Sequence, residues 1–80
     1  MKHAGWRALQ ILEPVLRELR RVPGLTERKP GIFYRGSVAF LHFHEDEAGI
    51  FADVKEGKEF ARYPVKTPAD QKRLLRTINP

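Results

Sequence analysis

Apolar residues recur at Ala8, Leu9, Ile11, Leu12, Val15, Leu16, Leu19 and Val22, a spacing that lines one side of a helix. Arg7, Gln10, Glu13, Arg17, Arg20 and Arg21 fill the other side. The pattern predicts a helix between Lys2 and Val22, kinked or divided at Pro14, whose missing N–H removes the bond to Gln10. Trp6 falls outside the stripe, as a frayed end or an indole capping an edge. Pro23-Gly24 stops the helix, and Leu25 to Pro30 reads as a basic connector.

From Gly31 the period changes from helical to alternating. Gly36-Ser37, Asp46-Glu47-Ala48-Gly49 and Glu56-Gly57 divide the chain into strands at Ile32–Arg35, Val38–His44, Ile50–Lys55 and Lys58–Val65. Short loops join antiparallel neighbours, so the strands form a meander. Thr67 then suits an N-cap, Pro68 a first helical position and Asp70 the exposed amide end of a second helix. Leu74, Leu75 and Ile78 make its apolar stripe. The expected fold is a single α+β domain: an N-terminal helix, a four-stranded antiparallel meander and a C-terminal helix.

The turns also set a register. Gly36-Ser37 pairs Tyr34 with Ala39, Phe33 with Phe40 and Ile32 with Leu41. Asp46–Gly49 pairs Phe43 with Ala52, His42 with Asp53 and Leu41 with Val54. Ile32, Tyr34, Ala39, Leu41, Phe43, Ile50, Ala52 and Val54 then share one face. The other carries Phe33, Phe40, His42, His44, Phe51 and Asp53, with Phe60 and Arg62 added if the last turn is tight. Two arrangements of the helices fit. Both lie on the aliphatic face, leaving Phe33, Phe40, Phe51 and Phe60 as an interface for a second copy. Alternatively, one helix covers each face and the phenylalanines are core.

His42 and His44 stand two apart on a strand, so their rings project the same way. Imidazole suits a divalent metal, and Asp53 opposite is a candidate third ligand, which leaves a coordination position open. The simpler reading is a hydrogen-bonded pair of His42 and Asp53 with no metal. No nucleophile elbow surrounds Ser37, and no glycine-rich phosphate loop is present. No catalytic residue is assigned, and no cofactor beyond that metal.

At 80 residues there is room for one core, and the absence of cysteine excludes disulfides and thiolate sites. Association of chains is the natural reinforcement for so small a domain. No apolar run reaches the length of a membrane span, so a cytoplasmic location without membrane contact is expected. The net charge is +5. Arg17, Arg20, Arg21, Arg28, Lys72, Arg73 and Arg76 are candidates for nucleic-acid contact, or form an ordinary solvated face.

The segments Phe33-Tyr34, Leu41-His42-Phe43-His44-Glu45-Asp46 and Phe51-Ala52-Asp53-Val54 resemble a group of small uncharacterised bacterial proteins. The likeness spans roughly residues 20 to 78 and implies no activity. The helix–meander–helix order is more distantly similar to YjbR-like proteins, whose fold is linked with DNA-binding architecture. The residues favour a non-enzymatic interaction module that self-associates as a homodimer through its aromatic face. Nucleic-acid binding and a metal-dependent enzyme are the alternatives.

Overall fold

A computed structural model describes residues 2–79. A short strand β1 (Lys2–His3) precedes helix α1 (Trp6–Leu19). Strands β2 (Leu25–Lys29), β3 (Ile32–Arg35), β4 (Val38–Asp46), β5 (Gly49–Glu56) and β6 (Glu59–Pro64) follow, and helix α2 (Pro68–Ile78) comes last. The strands β2 to β6 lie side by side in chain order, all antiparallel. β1 pairs with β4 at Glu45 and His44, along the stretch that the shorter β3 leaves free.

The fold is thus α+β as expected, with one more strand in the meander and a further short one at its side. Leu25–Lys29 is a strand rather than a connector. It lies at the sheet edge, and its charged residues are what such edges ordinarily carry, which disguised it as a loop. The first helix is also shorter than Lys2 to Val22. Gly5 is its extended N-cap and has no side chain to cap with. Glu45 on β4 does that work instead, its Oε1 accepting the Gly5 N–H at 2.7 Å. Trp6, at 72% exposure, stands in solvent.

α1 runs unbroken through Pro14 for 14 residues. Pro14 is exposed, while Ala8, Leu12, Val15, Leu16 and Leu19 pack inward. Burial of that stripe outweighs one lost backbone bond. α2 begins as the residues foretold. Thr67 Oγ1 accepts from the Asp70 N–H at 3.1 Å, and Asp70 Oδ2 accepts from the Thr67 N–H at 3.4 Å. The buried Gln71 side chain donates to the carbonyls of Ile11 and Val65, tying α2 to α1 and to the residue after β6.

Both helices cover the same sheet face. Their buried residues join Phe33, Leu41, Phe43, Ile50, Ala52, Val54 and Val65 in one cluster. The hairpins fix this register: Gly36 and Gly57 take φ of 63° and 66°, a region glycine enters without strain.

Between β3 and β4 the expected register fails at one residue. Tyr34 faces Ala39, but Phe33 faces Leu41 and Ile32 faces His42. Phe40 is the extra residue of a β-bulge, which exchanges the faces of the residues beyond it. Phe33 therefore lies in the core at 0% exposure, and Phe40 packs against that core. Ile32, Tyr34 and Ala39 belong to the open face with His42. Of the four phenylalanines expected to share the open face as an interface, Phe33 is thus in the core and Phe40 packs against it, which leaves Phe51 and Phe60 outside.

Candidate metal centre

On the open face, β4 presents His42 and His44, and β5 and β6 present Asp53 and Arg62. Asp53 stands opposite both His42 and Arg62. β1 adds His3, which faces His44. The rings of His42 and His44 lie 5.3 Å apart between centroids, and those of His3 and His42 6.2 Å. Phe60 closes one flank, its ring edge-on to His42 at 5.5 Å.

One donor atom from each of His42, His44 and Asp53 lies within 4.8 Å of the other two. A tetrahedral zinc with bonds of about 2.0–2.1 Å holds neighbouring ligands roughly 3.4 Å apart. His44 Nε2 is already 2.9 Å from Asp53 Oδ2. That distance lies within hydrogen-bonding range, and the ring helps to hold the Asp53 carboxylate ionised, whereas His42 Nδ1 is buried without a hydrogen-bond partner. His44 is only 4% exposed. A buried polar atom left unpaired, as His42 Nδ1 is, costs about 1–3 kcal/mol.

The simple pairing of His42 with Asp53 is not what forms. His44, diagonal to Asp53, makes the close approach. The carboxylate also accepts hydrogen bonds from Arg62, through Nε at 3.0 Å and Nη2 at 3.3 Å. Burial would raise the Asp53 pKa, but the Arg62 guanidinium and the His44 ring more than offset it and hold it low. Burial lowers the pKa of His42; Asp53 opposes that shift, while His44, His3 and Arg62 add to it. The outcome is a neutral ring at pH 7, which is the form that binds a metal.

The seven basic candidates for nucleic-acid contact are spread over several elements. Arg20 is held by Glu27 at 2.6 Å and Glu13 at 3.1 Å. Arg21 lies 3.8 Å from Glu18, and Arg73 3.3 Å from Asp70. Arg28 stacks on Tyr34, 4.1 Å from the ring centre, and donates to the Gly36 carbonyl at 3.0 Å. Arg17, Lys72 and Arg76 are exposed. His3 went unnoticed in the sequence, since a two-residue strand has no period to betray it. No helix among the described residues is long and apolar enough to cross a membrane.

No family model matches the chain, and no curated protein or solved structure matches it either. Its own residues are the ground for any function.

Proposed function

We propose that this chain is a small binding module for a divalent transition metal, held by His42, His44 and Asp53. What carries the reading is the convergence of three donor atoms, one each from His42, His44 and Asp53, within 4.8 Å of one another, with His42 Nδ1 buried and unpaired beside an ionised carboxylate. Arg62 neutralises Asp53 but gives neither ring a hydrogen bond. A cation satisfies both nitrogens and shares the carboxylate, which removes the desolvation cost that the rings otherwise bear. The soft ring nitrogens favour zinc, nickel or copper over magnesium or calcium. Three protein ligands leave a coordination position open toward the uncovered side of the sheet.

Calorimetric titration of zinc into the chain and into His44→Ala tests the reading. One site per chain is expected, with affinity lowered in the variant by at least the roughly 10–100-fold that loss of an outer-shell partner alone costs. Equal weak heats from both proteins mean that the histidines are structural.

A further inference from the structure

Beside the candidate metal centre, a cavity of about 410 Å³ opens on the same sheet face. His42 belongs to both: its ring lines the cavity together with His3, Arg28, Lys29, Ile32 and Tyr34. Two of these residues carry permanent positive charge, and no carboxylate is among the described residues lining the cavity.

A backbone irregularity brings the two cations together. Alternation along a regular β2 would send Arg28 and Lys29 to opposite faces. The pairing with β3 instead runs from Glu27 opposite Phe33 to Lys29 opposite Ile32, so Arg28 is the extra residue of a bulge. Lys29 is thereby re-aimed to the face that Arg28 occupies. Arg28 is also held in place: its guanidinium lies over the Tyr34 ring, 4.1 Å from the centre, and one Nη2 donates to the Gly36 carbonyl at 3.0 Å. A planar fork of donors fixed in this way needs little ordering when it meets an anion. Ile32 and the Tyr34 ring supply an apolar wall.

We infer that this cavity binds a small organic carboxylate, the ligand or substrate of the metal at His42, with Arg28 and Lys29 taking its charge and Ile32 and Tyr34 its apolar body. The inference rests on the metal reading, because the open coordination position is what gives a ligand at His42 a role. A carboxylate is favoured over inorganic phosphate because only an organic anion uses the apolar wall as well as the cations.

Zinc binding is measured first, by calorimetry. Benzoate, and separately its neutral analogue benzamide, is then titrated into the zinc-loaded and zinc-free chains and followed by backbone amide NMR shifts. Saturable shifts are expected for benzoate but not benzamide, clustered at residues 28–34 and at His42, with tighter binding to the zinc-loaded chain. Arg28→Ala should weaken benzoate about tenfold, the scale of one hydrogen bond between charged groups. Zinc affinity should stay within about threefold of the parent, since Arg28 is exposed and is not among the three ligands. Lys29→Ala, at an exposed edge position, should weaken benzoate in the same direction and guards against a folding defect in the first variant. Normal zinc binding with absent or scattered benzoate shifts, or with shifts indifferent to both substitutions, overturns the carboxylate site and leaves the metal site standing. Failure of zinc itself to bind removes both.

Discussion

His42 sits against Phe60 and two other imidazoles, partly withdrawn from water, and its titration reports that environment. Its pKa lies below the ordinary value of 6.5, chiefly because burial penalises the imidazolium. The unfolded chain therefore binds more protons than the folded one as pH falls from about 6.5 toward the lowered value. Stability of the metal-free protein should decline across that window and hold steady above it, as far as His42 contributes. Urea unfolding with a chelator present, at pH 7 and again at pH 5.5, measures the decline. His42→Gln should flatten it; an unchanged slope would assign the acid sensitivity to other groups. Much of this cluster was legible beforehand. The tight hairpin between β4 and β5 put His42 opposite Asp53 and His44 on the same side, and both placements hold. That His44 rather than His42 reaches Asp53 was not legible, because diagonal contacts depend on side-chain rotation and not on spacing.

At the scale of elements, the two bulges matter most. A single extra residue at Phe40 moves Phe33 from the open face into the core and brings Ile32 and Tyr34 out beside His42. Nothing in the residue types around Phe40 announces a bulge, and alternation extrapolated from the Gly36 turn could only carry Phe33 to the wrong side. The strand at Leu25–Lys29 was hidden for a related reason: as a charged edge its composition resembles a loop. The consequence is testable. Phe33→Ala should cost about 3–5 kcal/mol in urea unfolding, the usual range for truncating a buried phenylalanine. Phe60→Ala, with the ring 44% exposed, should cost under about 1 kcal/mol. Similar costs at both positions would restore the regular register and return Phe33 to the open face.

Seen whole, the molecule is a sheet with two unlike sides. Its helices cover one side, pinned by the Gln71 amide at one end and by Glu45 at the start of α1. The other side carries three histidines, Asp53 and Arg62 at the sheet centre, and Arg28, Lys29 and Tyr34 toward β2. Of the basic residues foreseen for nucleic acid only Arg28 lies on this side; the others are on or just after the helices, where Arg20, Arg21 and Arg73 already face carboxylates. The helix order, the hairpins and the aliphatic core were legible because period and turn chemistry agreed. The polar centre was legible only in part, since β1 and both bulges depend on tertiary pairing. The account stands most directly on where a metal binds. Crystals grown with zinc, measured on both sides of the zinc absorption edge, should give one anomalous peak on the open face. It is expected at about 2.0–2.2 Å from a nitrogen of His42, a nitrogen of His44 and an oxygen of Asp53. An empty map there, or zinc held by other residues while Asp53 remains with Arg62 alone, would contradict the account.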